Sequence, residues 1–245
     1  MDGEIKPEEM VLWADAHLLA VNKPAGLTAL PDGWTPGPHL RSVLEPVYGR
    51  LWTVHRLDRH TSGVVVLART AEAHRALNIQ FEAHDVTKVY HALVIGSPAW
   101  EELTVDLPLR IDGDRKHRTV IDLRAGKPSV TDLRALERLG RYTLIEARPA
   151  TGRTHQIRAH LAAQGCPIAV DPLYGDGATI YRSMLEPESM APEGVERPLL
   201  DRLGLHARSL ALRHPATGAA SIFEAPYPED FANALDVLRS RFAVL

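Results

Sequence analysis

The stretch Val54-His55-Arg56-Leu57-Asp58-Arg59-His60-Thr61-Ser62-Gly63, followed by the apolar run Val64-Val65-Val66-Leu67-Ala68, decides the fold of this 245-residue chain. The apolar run is rich in β-branched residues and predicts a buried strand. The turn formers before it place Asp58 in a rigid turn, with its carboxylate directed outward. The guanidinium groups of Arg56 and Arg59 favour the ionised carboxylate at neutral pH. Asp58 is therefore a candidate nucleophile or base, although a solvated charge cluster before a core strand would look the same.

Composition limits the classes of protein to consider. Hydrophobic residues make up 45% of the chain and the net charge is -3, which predicts one catalytic domain whose contacts with a polyanion are confined to a local patch. The single cysteine, Cys166, excludes an intramolecular disulfide and a multi-cysteine zinc site. The acidic N-terminus and the lack of a long apolar run predict a soluble protein of the cytoplasm.

Hydrophobic periodicity predicts alternating short strands and helices in the first half of the chain. Thr70 is the expected N-cap of a helix that runs to about His84. The other predicted elements are strands at 10–13, 18–21 and 88–96 and a short helix at 39–48, which contains a proline.

The second half predicts a meandering, mostly antiparallel sheet, because many short β-like runs are separated by turns. Those runs are 103–107, 119–123, 130–136 and 142–147. The basic turn 110–118 fits either a phosphate-contacting edge or a solvated hairpin tip. Residues 176–204 are rich in Pro, Gly and Glu and predict a loop, and a closing helix is expected at 229–238.

A second informative stretch is Ala150-Thr151-Gly152-Arg153-Thr154-His155-Gln156-Ile157-Arg158-Ala159-His160-Leu161. Thr154 is the expected N-cap of a helix that runs to Gln164 and ends at Gly165. Arg158 then lies in the first turn, where the helix dipole favours anions and gives a cation no stabilisation. Its position is better explained by a partner carboxylate or phosphate.

Several of these motifs together resemble the RluA-type pseudouridine synthase family, over about residues 22–215. The central one is His-Arg-Leu-Asp-x-x-Thr-Ser-Gly-Val at 55–64. The others are Asn-Lys-Pro-x-Gly at 22–26, Lys-x-Tyr at 88–90, Gly-Arg-Thr-His-Gln-Ile-Arg at 152–158, Asp-Pro-Leu-Tyr-Gly at 171–175 and Leu-His-Ala at 205–207.

The resemblance implies an α+β pseudouridine synthase fold, with a mixed, largely antiparallel sheet flanked by helices and a single catalytic domain over 1–245. Several proteins of that family carry a small RNA-binding module before the catalytic domain. Here about twenty residues precede the Asn-Lys-Pro turn, too few for a domain, so no separate N-terminal RNA-binding module is expected.

The resemblance also implies a role for each matching side chain. Asp58 matches the catalytic residue, Arg158 the arginine that pairs with it, and Tyr90 the tyrosine that contacts the target base. Arg56 matches the arginine that stabilises the gap left by the flipped base. Further RNA contacts are predicted for Arg59, Arg153 and Lys23.

The activity implied is isomerisation of uridine to pseudouridine in structured RNA, either 23S ribosomal RNA, transfer RNA or both. The reaction needs no metal, nucleotide or redox cofactor, and the sequence has no Gly-rich phosphate loop or dinucleotide fingerprint. A monomer is expected. The sequence leaves open whether Asp58 acts as a nucleophile or removes a proton from the sugar.

Two other classes of function remain at this point. A metal-dependent hydrolase would use His55, Asp58 and His60, with His155 and His160, although the chain lacks the i, i+4 histidine pair of a helical zinc site. A catalytically inactive RNA-binding protein of the same fold is the other.

Overall fold

The computed structural model describes residues 6–31, 37–186 and 196–242. Within these ranges the chain forms an α+β structure, as predicted. The strands are β1 (Val11–Ala14), β2 (Leu18–Lys23), β3 (Trp52–Thr53), β4 (Ser62–Ala68), β5 (Thr87–Ile95), β6 (Glu102–Asp106), β7 (Leu109–Arg110), β8 (Val120–Ile121), β9 (Val130–Leu139), β10 (Tyr142–Pro149), β11 (Ile180–Tyr181), β12 (Pro198–Leu200), β13 (Leu205–Arg213) and β14 (Ala220–Glu224). The helices are α1 (Leu40–Tyr48), α2 (Ala71–Glu82), α3 (Gln156–Ala163) and α4 (Glu229–Phe242), with short 3-10 helices at Pro7–Met10 and Arg182–Met184.

The chain divides into two compact units. Unit 1 comprises 1–89 and 207–226, and unit 2 comprises 90–206 and 227–245. No helix in the described ranges combines the length and apolar character needed to cross a membrane.

Unit 1 is built on β4, the strand predicted from the apolar run. β2 pairs antiparallel with both β1 and β4, β3 pairs with β4, and β13 pairs with β14. All seven residues of β4 are buried, which explains why its sequence from Val64 to Ala68 is continuously apolar and does not alternate. Its core partners include Leu18, Leu77 and Phe223.

Helix α2 confirms the predicted cap. The Thr70 hydroxyl oxygen accepts a hydrogen bond from the Ala73 amide at 3.1 Å. This satisfies one of the amides that a helix N-terminus leaves without a partner. Ala73 and Leu77 are buried on the face toward the strands, and Phe81 packs beside them.

Gly63 is the second residue of β4, directly after the Asp58 turn, and its conformation requires glycine. Its φ is +118°, and a Cβ there would lie 2.2 Å from the carbonyl oxygen of Ala207. Both the backbone region and the contact exclude a side chain.

We therefore expect Gly63→Ala to lower the free energy of unfolding by more than about 3 kcal/mol, because strain and a backbone clash add together. Gly218→Ala is the matched control, since Gly218 also has a positive φ (+71°) but has no atom within 4 Å of a built Cβ. That variant should lose only about 1 kcal/mol. Urea denaturation measures both, and equal losses would show that the close approach to Ala207 is unimportant.

Unit 2 is an antiparallel sheet covered on both faces. β10 pairs with β5 and β9, and β9 pairs with β6. Each face of the sheet has its own core, and alternate residues of β5 point into one or the other. Leu93 packs with residues of α4, whereas Ala92 and Val94 pack with Ile157 and Leu161 of α3. The predicted antiparallel strands and closing helix are thus confirmed, with α4 longer than predicted.

The segment 176–204 differs from the predicted loop. In its described part, β11 pairs with β12 and Arg182–Met184 forms a 3-10 helix. Ile180, Leu185 and Leu200 are buried against residues of α4. The apolar residues of this segment are widely spaced among Pro, Gly and Glu, so they form no helical or strand period. The sequence pattern therefore does not predict these elements.

Candidate active site

Asp58 lies in unit 1, in the predicted turn before β4. Its carbonyl oxygen accepts a hydrogen bond from the Thr61 amide at 3.1 Å, which closes the turn. Leu57 and Thr61 are buried and anchor the turn on both sides of a half-buried Asp58. Arg56 and Arg59 are exposed, so the turn presents two guanidinium groups beside its carboxylate residue.

Lys23 holds this turn from within and does not face solvent. Its side chain is completely buried, and Nζ donates to the carbonyl oxygens of Pro24 at 2.9 Å, Leu27 at 2.8 Å and Arg59 at 3.3 Å. A buried ammonium is tolerated only when it is paired or hydrogen-bonded, and these carbonyls supply that stabilisation. The Lys23 ammonium thus lies inside the protein in this structure. Its contact with RNA stays a prediction.

The Asn-Lys-Pro turn and the Asp58 turn are joined by the backbone as well. The Gly26 amide donates to the Arg59 carbonyl oxygen at 2.8 Å, and Arg59 Nε donates to the Gly26 carbonyl oxygen at 3.1 Å. Two motifs separated by more than thirty residues thus form one rigid loop pair. Rigid support of this kind is what a catalytic carboxylate needs.

His55 has a structural role in the same unit. Its Nε2 accepts a hydrogen bond from the Val66 amide at 2.9 Å, and its ring stacks on Phe81 with centroids 4.8 Å apart. Burial, and then the charge of Lys88, lower the pKa of His55 to about 3, so the imidazole is neutral. A metal at Nε2 would have to displace this hydrogen bond. Among the described residues no group of three or more His, Cys, Asp or Glu side chains could hold a metal ion.

Helix α3 of unit 2 begins later than predicted. It starts at Gln156, after His155 in the left-handed conformation (φ +53°), and Thr154 does not cap it. Gln156, the first residue of the helix, instead binds the preceding loop: its Oε1 accepts from the Arg153 amide at 3.0 Å and from Thr151 Oγ1 at 2.7 Å. The side-chain amide of Gln156 therefore stabilises the loop. The N-cap preferences of Ser, Thr, Asp and Asn do not predict this contact. Gly165 follows the helix with φ +72°, as expected.

Arg158 is buried and paired with a carboxylate in its own unit. Nε and Nη2 donate to the two oxygens of Asp171, each at 2.7 Å. Asp171 Oδ1 also accepts from the amides of Leu173 and Tyr174. The structure thus supplies the anionic partner that the position of Arg158 indicates. The pairing of Arg158 with Asp58 stays a prediction.

Asp171 stays ionised in this setting. Burial alone would raise the pKa of Asp171, but the Arg158 hydrogen bonds and charge, together with two backbone amides, outweigh it and lower that pKa. The ionised carboxylate therefore stabilises the fold above the pKa of the unfolded residue, and this contribution is lost as the pH falls through the lower folded pKa.

Tyr174 completes the surroundings of Arg158. The guanidinium carbon lies 5.0 Å from the centroid of the Tyr174 ring. The tyrosine hydroxyl group accepts from the Thr119 amide at 2.9 Å and lies 3.1 Å from the Thr119 carbonyl oxygen. It also lies 3.2 Å from His155 Nδ1. The sequence analysis assigned no role to Asp171 or Tyr174, although Asp-Pro-Leu-Tyr-Gly was part of the resemblance.

Tyr90 and Arg153 are the remaining predicted site residues of unit 2. Tyr90 is half-buried on β5, opposite Ala147, and packs beside the apolar cluster that includes α3 residues. It therefore shares a sheet face with the helix that carries Arg158. Arg153 is also half-buried and Nη2 reaches the Pro128 carbonyl oxygen at 3.5 Å. Their contacts with RNA stay predictions.

A family model described as RNA pseudouridylate synthase matches residues 17–163, a range that contains Asp58, Tyr90 and Arg158. The chain belongs to this RNA pseudouridylate synthase family. The family assignment confirms the predicted activity: the protein is an isomerase that converts uridine to pseudouridine in RNA.

Named relatives extend the similarity over nearly the whole chain. The chain is 39% identical to the ribosomal large subunit pseudouridine synthase D of Pseudomonas aeruginosa, over 94% of this chain and 71% of that protein. It is 36% identical to the dual-specificity RNA pseudouridine synthase RluA of Escherichia coli K12, over 92% of this chain and 98% of that protein. Among solved structures, human RNA pseudouridylate synthase domain containing 4 is similar with a TM-score of 0.73 and 26% identity, covering 95% of each chain. The pseudouridine synthase fold is thus confirmed.

Proposed function

We propose that this RNA pseudouridine synthase acts on uridines in structured RNA, ribosomal or transfer, and that Asp58 is its catalytic carboxylate. The observation that carries the proposal is the clamped turn of unit 1, in which Lys23, Gly26 and Arg59 fix the backbone on which Asp58 stands. Support for the RNA class comes from the similarity to a ribosomal large subunit enzyme and to a dual-specificity enzyme. A cytoplasmic location would place the protein with these RNAs.

The reaction rearranges bonds within one nucleotide. The bond from C1′ of the ribose to N1 of uracil breaks, the uracil turns while it is held, and C1′ bonds to C5. The proton on C5 is lost and N1 gains one, so the product is an isomer of the substrate and no oxidant or reductant is consumed. Asp58 acts on the nucleoside, either as a nucleophile or as a base on the sugar.

The other predicted side chains have separate roles in this proposal. Tyr90 stacks on the uracil after it leaves the RNA stack and assists the loss of the C5 proton. Arg158 supplies a guanidinium that Asp171 and the ring of Tyr174 hold fixed. Arg56 stabilises the gap in the RNA, since unstacking a base costs a few kcal/mol.

Mapping pseudouridines in ribosomal and transfer RNA tests the proposal. RNA that lacks modifications is incubated with the protein, and every new pseudouridine is located. We expect new pseudouridines at specific positions of one or both RNA classes. No new pseudouridine in either RNA class would contradict the proposed substrate.

Arg56→Ala tests whether Arg56 contacts the gap that the unstacked uracil leaves in the RNA. Arg56 is exposed, so we expect RNA affinity to fall about tenfold while the melting temperature changes little, because an exposed guanidinium contributes little to folding. Arg75→Ala, at another exposed arginine in unit 1 on α2, is the matched control and should leave affinity unchanged. An unchanged RNA affinity with a lowered melting temperature would identify Arg56 as a structural residue.

A further inference from the structure

We propose that Tyr174 is a positioning residue of the pseudouridine synthase site, which fixes the Arg158 guanidinium through its ring and the His155 imidazole through its hydroxyl group. This inference rests on the proposed function. It concerns a residue outside the stretch matched by the family model, which ends at 163.

The hydrogen bonds of the Tyr174 hydroxyl group determine the tautomer of His155. The oxygen accepts from the Thr119 amide at 2.9 Å, and the hydroxyl proton points to the Thr119 carbonyl oxygen at 3.1 Å. Burial raises the pKa of Tyr174, so this proton is retained. One lone pair of the oxygen remains for His155 Nδ1 at 3.2 Å, and it can only accept. Nδ1 therefore carries the imidazole proton.

The ring of Tyr174 acts on Arg158. It covers the guanidinium at 5.0 Å while Asp171 takes Nε and Nη2 in a bidentate pair. Asp171 in turn accepts a hydrogen bond from the Tyr174 amide at 3.1 Å. The Tyr174 ring therefore contacts Arg158 directly, and the Tyr174 backbone contacts it through Asp171. An arginine with its plane and fork fixed in this way has one orientation toward any further anion.

The hydroxyl group holds His155 where its backbone is strained. A left-handed conformation at a non-glycine residue is strained and persists only when the surroundings enforce it. His155 has φ +53°, and its ring meets the Tyr174 ring edge to face with centroids 5.8 Å apart. The strained residue lies three positions before Arg158, at the start of α3. Tyr174 thus contacts both His155 and Arg158.

Tyr174→Phe separates the two contacts, because it keeps the ring over Arg158 and removes the hydroxyl group. We expect the single-turnover rate of pseudouridine formation to fall about tenfold, with the dissociation constant for RNA changed less than about twofold. Tyr174→Leu removes both contacts and should cost about a hundredfold or more. Tyr142→Phe is the matched control: Tyr142 is a buried tyrosine of unit 2 on the opposite, α4 side of the sheet, and its variant should keep the wild-type rate.

A double-mutant cycle distinguishes positioning from general loss of structure. If the Tyr174 hydroxyl group acts through His155, Tyr174→Phe should cause no further loss of rate in a His155→Ala background. Nitrogen-15 NMR of the imidazole should show the Nδ1–H tautomer of His155 in the wild type, and a shift toward Nε2–H in Tyr174→Phe. A wild-type rate in Tyr174→Phe, fully additive losses, or an Nε2–H tautomer in the wild type would each overturn the inference.

The outcomes also separate this inference from the proposed function. If the wild-type protein forms no pseudouridine, the proposed function fails, and the NMR comparison still tests the contact of Tyr174 with His155. If the wild type is active and Tyr174→Phe equals it, only the role of Tyr174 is lost.

Discussion

Asp58→Asn is expected to abolish pseudouridine formation while RNA binding persists. The substitution keeps the size of the side chain and removes its charge, so the amide can act neither as a nucleophile nor as a base. Because the reacting group itself is removed, the rate should fall by at least about 10⁴-fold, below the limit of detection. The turn itself should keep its conformation, because three of its supports do not involve the Asp58 carboxylate. These supports are the hydrogen bond from the Thr61 amide to the Asp58 carbonyl oxygen, the buried Leu57 side chain and the hydrogen bond from Lys23 Nζ to the Arg59 carbonyl oxygen.

Asp85→Asn is the matched control for this prediction. Asp85 is an exposed aspartate of the same unit, which follows α2, and its substitution makes the same change of charge. The control should retain wild-type activity and wild-type RNA affinity. Turnover by Asp58→Asn at a measurable fraction of the control rate would remove Asp58 from the proposed role.

Arg158→Met should cause a large loss of stability as well as activity. The side chain has a similar length, but the variant leaves the fully buried Asp171 with two backbone amides and no cation. Breaking one side of a buried ion pair costs about 3–5 kcal/mol. The free energy of unfolding from urea titrations measures this effect. Arg182→Met is the control, since Arg182 forms a more exposed pair with Glu186 and its loss should cost less than about 1 kcal/mol.

The double variant Arg158→Met, Asp171→Leu separates folding from chemistry. Replacing both members of a buried pair with apolar residues removes the uncompensated carboxylate, so much of the lost stability should return. Pseudouridine formation should not return, because the guanidinium is still missing. Recovery of activity together with stability would show that Arg158 serves only the fold.

The features that sequence predicted well are those with a local cause. β4 follows from the apolar, β-branched run at 64–68, and α2 follows from a threonine cap before an apolar stripe. The Asp58 turn follows from turn formers next to a strand. Each of these is decided by neighbours along the chain, so a single sequence contains the information.

The features that sequence missed depend on distant partners. Lys23 is buried because three carbonyl groups, one of them 36 residues away, converge on its ammonium, and no local pattern distinguishes it from a solvated lysine. The partner of Arg158 in unit 2, Asp171, lies beyond the helix that carries the arginine. The start of α3 moved because Gln156 satisfies the preceding loop. Such contacts override local propensity.

Release of the hydrogen on C5 of uracil reports most directly on whether Asp58 drives the isomerisation. An RNA substrate labelled with tritium at C5 of uridine loses the label to water only when C5 becomes bonded to the sugar. The wild-type and Asp85→Asn proteins should release one tritium for each pseudouridine formed, and Asp58→Asn should release none under conditions in which it binds the same RNA. Tritium release by Asp58→Asn at the wild-type rate would contradict the account.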